Sequence, residues 1–187
     1  MRGFMPAPNS RGLILFFTGL PGAGKSTLAQ ALAARLADLG RAVTLLDGDQ
    51  VRALLSSGLG YSRADRDLNV RRIGYVAAEI ARHGGIAICA QIAPYAAARA
   101  EARQRSAEAG RFVLVHVATP LEVCERRDPK GQYAKARAGL LPAFTGVSDP
   151  YEAPQDAEVT IDTQDCTPRE AAEAILERLR RDGVLDC

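Results

Sequence analysis

One stretch constrains this chain more than any other: Gly19-Leu20-Pro21-Gly22-Ala23-Gly24-Lys25-Ser26. It follows a continuous apolar run, Leu13 to Thr18, which reads as a strand buried on both faces. After it, Leu28, Leu32, Leu36 and Leu39 recur at helical spacing on one face, and Gly40 ends the pattern. A strand, a glycine turn with G-x-x-x-x-G-K-[ST] spacing and a helix form a phosphate cradle, because backbone N–H groups and the helix N-terminus converge on one anion. Lys25 would reach the β- and γ-phosphates and Ser26 would ligate magnesium. The segment through Thr27 is therefore read as an ATP site that uses Mg2+.

Short apolar runs alternate with amphipathic stretches along the rest of the chain, the pattern of an α/β protein. The fold expected is the P-loop NTPase fold: a central parallel five-stranded sheet flanked by helices, with a mobile lid. Strands are expected at 13–18, 42–46, 86–90, 112–117 and 158–162. Helices are expected at 24–38, 50–55, 68–83, 95–109 and 120–127. Thr167-Pro168-Arg169-Glu170 is a capping box that opens a last helix. Residues 56–66 read as loop. Residues 128–154 are polar, contain Pro129, Pro142 and Pro150, and end at Pro154. So long a span without regular structure reads as a lid. Residues 1–11 read as a flexible leader and 12–187 as a single domain.

Apolar residues make up 47% and charged residues 25%, which argues against disorder over most of the length. A net charge of +2 without a basic stripe gives no reason to expect nucleic acid. No apolar run approaches the ~20 residues of a membrane helix, and the first residues lack a signal-peptide core. Cys89, Cys124, Cys166 and Cys187 show no C-x-x-C spacing, so they read as free thiols of a reducing cytoplasm. His83 and His116 show no ligand spacing and read as helix-end and strand residues.

The phosphate loop leaves the acceptor open. No N-K-x-D sequence is present, which disfavours a guanine-specific GTPase. Asp47 and Asp49 follow the second strand, where α/β sheets bind ligands. They could hold magnesium through water or take a proton from a hydroxyl, although Asp-Gly is equally a common turn pair. Arginines downstream suit phosphate or sulfate; Arg71 and Arg72 read as a solvated helix face.

LDGDQVR, LGYS, DRDLNVRRIG, ICAQIAPY, LEVCERRDPKGQYAKARAG and FTGVSDPYEAP, together with GLPGAGKST, resemble the adenylylsulfate kinase family over about residues 12 to 180. That resemblance implies ATP-dependent phosphorylation of the 3′-hydroxyl of adenosine 5′-phosphosulfate (APS), in sulfate assimilation or sulfonation. It implies Lys25, Asp47 and Asp49 as catalytic residues, with Asp47 beside Ser26 at the metal. It puts Arg52, Arg66 and Asn69 on the APS phosphosulfate and ribose, Tyr61 and Phe144 on the two faces of its adenine, and a backbone contact at Ile92. Arg126, Arg127 and Lys130 would serve the ATP side, and Lys135 the lid and acceptor. A homodimer and an association with sulfate adenylyltransferase are implied in the same way. Ala93 stands where the family often has the serine of Ile-Ser-Pro, a proposed phosphoryl carrier, so direct in-line transfer is expected. Gln50 and Tyr61 replace the usual Asn and Phe. Two other readings are a kinase for a different small molecule and a catalytically weak nucleotide-binding module.

Overall fold

β1 (Gly12–Thr18) is buried along its whole length. It pairs in parallel with β3 (Ile86–Ala90) on one edge and β4 (Gly110–Val117) on the other. β2 (Val43–Asp47) and β5 (Val159–Ile161) complete a five-stranded sheet in the order β2-β3-β1-β4-β5, parallel throughout. The computed structural model describes residues 12–185; the expected leader and Cys187 lie outside them.

Parallel neighbours cannot be joined by tight turns, so helices must cross over and cover both faces. The alternation of β1 divides the core accordingly. Leu13, Leu15 and Phe17 pack with α1 (Lys25–Asp38) and α7 (Pro168–Arg181) through Leu28, Leu32, Ile175 and Leu179. Ile14 and Phe16 face the other way, onto α3 (Arg63–Arg82) and α4 (Ala96–Ser106) through Val70, Ile73, Ala77 and Ala102. α1 ends as its sequence predicts. Gly40 takes φ 73°, its N–H donates to Ala37 O, and Arg41 N–H donates to Leu36 O. The capping box of α7 forms in both directions, Thr167 with Glu170.

Two expectations need correction. The segment 56–66 is not all loop, because α3 starts at Arg63. Ser62 accepts from Asp65 N–H at 3.2 Å and donates to the Asp65 carboxylate at 2.7 Å, so the cap sets the start before the apolar periodicity begins. The stretch 128–154 also has structure. It contains α6 (Gln132–Arg137) and an isolated bridge between Thr145 and Asp149. The Asp128 carboxylate accepts from Tyr133 N–H at 3.0 Å and Ala134 N–H at 3.1 Å, which nucleates that short helix. The remaining helices are α2 (Gly48–Leu54) and α5 (Leu121–Arg127). Among the described residues no helix is long and apolar enough to cross a membrane.

β1 and β4 begin where α3 passes very close. A methyl group at Gly12 would lie 2.0 Å from Ala81 O. Gly12→Ala is expected to lower the unfolding free energy by about 2 kcal/mol or more, through backbone displacement. Thr167→Ala, which removes a cap, is expected to cost about 1 kcal/mol. Urea unfolding checks both, and a Gly12→Ala protein as stable as wild type would contradict the close approach.

Candidate active site

The chain leaves β1 into a loop whose conformation favours glycine at three points, Gly19 (φ 155°), Gly22 (φ 74°) and Gly24 (φ 93°). The loop is fastened from beneath. Hydroxyls of Thr119 and Thr163 donate to Ala23 O at 3.1 and 3.0 Å. Arg127 donates to Thr163 Oγ1 at 2.8 Å and Thr163 O at 2.6 Å, which carries its guanidinium to the loop. The tip is tied to α6, since Tyr133 Oη donates to Pro21 O at 2.9 Å.

Lys25 is the first residue of α1 and is buried. Its ammonium donates to Gly19 O at 3.0 Å and Leu20 O at 2.7 Å. Burial pushes its pKa down to about 8, against the opposing pull of Cys124, Asp47 and Asp49. Ser26 and Thr27 are exposed beside it.

A cavity of about 730 Å³ runs from this loop to the acceptor side. Pro21, Gly22, Gly24, Lys25, Ser26, Thr27, Arg127 and Lys130 line its phosphate half. Asp49, Arg52, Tyr61, Arg66, Asn69, Ile92 and Phe144 line the other. Gly19, Leu20 and Ala23 shape the loop without lining the cavity. Asp47 stands back from the wall, capping α2 by accepting from Asp49 N–H at 3.0 Å. Arg126 and Lys135 are exposed and lie off the cavity wall.

The acceptor half is assembled by arginines. The Arg52 guanidinium lies 4.4 Å from the Tyr61 ring centroid and donates to Gly60 O at 2.7 Å, so it orients the ring. Arg66 is buried and joins α3 to the segment after α6. It donates to Tyr61 O at 2.8 Å, to Thr145 Oγ1 and to Ala143 O, and it lies 3.3 Å from Asp149 Oδ2. Asp149 also accepts from Tyr95 Oη at 2.6 Å. Asn69 is buried beside the cavity, and its Oδ1 has no partner among the described residues. Phe144 packs edge-on against Tyr133 with centroids 5.0 Å apart. An ion pair between Lys130 and Asp49 joins the start of the 128–154 segment to α2.

Several of these residues escape a reading of the sequence. Thr119 and Thr163 act through single hydroxyls under the loop, and no local pattern marks them. Thr145 and Asp149 lie inside FTGVSDPYEAP, whose composition signals a turn, but their partner Arg66 is 79 and 83 positions away.

Among the described residues no three or more His, Cys, Asp or Glu are grouped to hold a metal. Magnesium bound with a nucleotide draws most of its ligands from water and phosphate oxygens; Ser26 lines the cavity and could offer its hydroxyl, while Asp47 stands off the wall.

A phosphate cradle that opens into a second, arginine-lined half-cavity belongs to P-loop kinases of small molecules, where nucleotide and acceptor meet end to end. A family model for adenylylsulphate kinase matches residues 11–162. An adenylyl-sulfate kinase from Synechococcus sp. (strain JA-3-3Ab) is 51% identical over 175 residues, covering 94% of this chain and 98% of its own. The chain belongs to the adenylylsulfate kinase family. Among solved structures, the Mycobacterium tuberculosis APS kinase in complex with AMPPNP and APS matches with TM-score 0.87 at 42% identity, over 91% of this chain and 98% of that one. A hexameric APS kinase from Thiobacillus denitrificans matches at 47% identity and TM-score 0.74, over 95% of this chain and 30% of that longer one. A sulfate adenylyltransferase from Phaeosphaeria nodorum is 47% identical over 99% of this chain, which spans 32% of that protein.

The Lys25 pKa makes a directional prediction. Phosphate binds the charged ammonium, whose population in the free protein falls as pH rises through about 8. Affinity for an ATP analogue should be full below that value and about tenfold weaker at pH 9 than at pH 7. Fluorescence titration across this range checks it, and a flat profile would contradict the lowered pKa. Lys25→Met should bind weakly at every pH.

Proposed function

We propose that this chain transfers the γ-phosphate of ATP to the 3′-hydroxyl of APS, giving 3′-phosphoadenylylsulfate and ADP. The observation that carries this is the continuity of one cavity between the Lys25 loop and the half lined by Arg52, Tyr61, Arg66, Asn69 and Phe144. ATP enters phosphates first, with Lys25 and the loop N–H groups on the β- and γ-phosphates. Arg127 and Lys130 add positive charge from the outer side. Ser26, with Asp47 acting through water, would hold magnesium, which would supply charge neutralisation on the phosphate oxygens.

On the acceptor side, Arg52 and Arg66 bind the phosphosulfate, Asn69 binds the ribose side, and Tyr61 and Phe144 stack on the adenine. Stacking of this kind contributes about 1–3 kcal/mol per base. Ile92 offers backbone to the same pocket. The 3′-oxygen attacks the γ-phosphorus in line as its bond to the ADP oxygen breaks. Asp49, on the cavity wall, accepts the hydroxyl proton. Ala93 has no hydroxyl, so the transfer has no covalent stop at that position. The segment 128–154 closes over the cavity and excludes water; Lys135 and Arg126 would join only by moving with it.

A coupled ADP-release assay tests the reading. ADP release should depend on APS and magnesium and exceed that with other hydroxyl acceptors; a faster acceptor would displace APS. Arg66→Ala should raise the KM for APS about ten- to hundredfold, as loss of charged hydrogen bonds predicts, and leave the KM for ATP nearly unchanged. Asp49→Ala should lower kcat with the fold intact. Near-normal turnover would move the proton acceptor to Asp47.

We also infer a cytoplasmic homodimer, able to work beside a sulfate adenylyltransferase. Unbridged Cys89, Cys124 and Cys166 support a reducing compartment. Light scattering that returns a monomer mass at micromolar concentration would exclude the dimer.

A further inference from the structure

Arg99 in α4 is 3% exposed, yet among the described residues it forms no ion pair. Its guanidinium donates to two backbone carbonyls, Ala93 O at 2.7 Å and Glu152 O at 2.6 Å, and its Nε is buried without a partner. A cation buried this way carries a large desolvation penalty, and an apolar residue would fill the same space without it. What the guanidinium gains in return is a bond to each of two carbonyls from separate segments, which no apolar residue could supply.

The two carbonyls belong to segments that frame the acceptor half of the cavity. Ile92, Ala93 and Pro94 line the wall itself. Glu152 follows Asp149, which contacts Arg66. Ala93 takes φ 42°, a left-handed conformation that a residue with a Cβ adopts only when its surroundings hold it there. Further bonds act at the same point. Thr18 Oγ1 lies 2.7 Å from Ile92 O, 3.2 Å from Ala93 O and 3.1 Å from Tyr151 Oη. Glu152 N–H donates to Pro94 O at 2.9 Å. Arg99 is the charged member of this group and the one that spans both segments from a helix.

We propose that Arg99 is a positioning residue for the acceptor. By drawing the carbonyls of Ala93 and Glu152 onto one guanidinium, it holds the Ile92–Pro94 backbone in its left-handed bend. It thereby sets the wall against which the acceptor lies. This rests on the reading of the cavity as an APS site. Lysine cannot replace it, because one ammonium on a flexible stem does not span two carbonyls as a planar fork does.

The test compares wild type, Arg99→Lys, Arg99→Met and Thr18→Val, the last weakening the same bend from the opposite side. Initial rates give the KM for APS and for ATP separately, and hydrogen exchange is followed on peptides covering 91–96 and 149–153. Arg99→Lys should raise the KM for APS about tenfold and leave that for ATP within about twofold. Exchange should rise in those two peptides and not in the loop 19–26. Thr18→Val should shift both readouts in the same direction even where an Arg99 variant folds poorly. A parallel change in both KM values, unchanged KM values, or unaltered exchange in the two peptides would overturn the proposal. Wild-type protein that releases no ADP with APS would instead refute the proposed function. The exchange measurement would still decide whether Arg99 holds the bend.

Discussion

Complete burial of β1 is the constraint on which the rest depends. A strand with a neighbour on each edge and a helix layer on each face has no place for charge along its length. Polar chemistry is therefore displaced to the carboxyl end of the sheet. There β1 delivers Gly19 and Lys25, β2 delivers Asp47 and Asp49, and β3 delivers Ile92 and Ala93. The parallel arrangement brings these three ends to one side, so a nucleotide and an acceptor can meet across the strand order without any side chain crossing the core.

The two halves of the cavity are held by different means. The phosphate half is a backbone structure: its shape follows from glycines, a helix start and two threonine hydroxyls on Ala23 O. The acceptor half is built from long side chains, Arg52, Arg66 and Arg99, each bonded to carbonyls of loops rather than to carboxylates alone. Such a half depends on segments far apart in sequence being in place together. Arg66 joins Tyr61 O to Thr145, Ala143 and Asp149, so ordering the 143–149 segment and aiming the guanidinium are one event.

That difference explains what a sequence reading could reach. The strand–loop–helix unit, the five strands and the capping box of α7 were legible because each is written in a local pattern of apolar spacing, glycine and cap residues. The start of α3 is written in Ser62-Arg63-Ala64-Asp65, a local cap that lies ahead of the apolar periodicity marking the rest of the helix. α6 was hidden by the prolines around it, and its anchor, the Asp128 carboxylate on Tyr133 and Ala134 N–H, lies outside the helix. The belonging of Arg52, Arg66, Asn69, Tyr61 and Phe144 to one cavity came from family resemblance. No local pattern could have joined positions 52 and 144. Arg126 and Lys135, carried over in the same way, stand off the cavity wall, as expected of exposed side chains on short helices whose buried faces are already occupied by Cys124, Tyr133 and Ala136.

The departure at Ala93 is easiest to understand through the backbone. If the serine of Ile-Ser-Pro acted chiefly through its hydroxyl, its loss would leave the bend at this point without a purpose, and an ordinary extended conformation would relieve the strain. The bend is present here. Ala93 keeps φ 42°, stays buried, and has its carbonyl held by Arg99 and Thr18. Under the proposed role of Arg99, what this position would contribute is a carbonyl direction and a wall, neither of which needs a side-chain hydroxyl. In-line transfer asks only that the acceptor hydroxyl be aimed at the γ-phosphorus and that charge be balanced there. On the proposed reading, aim would come from a bent backbone braced from two sides and balance from Lys25, and neither needs a hydroxyl at this position.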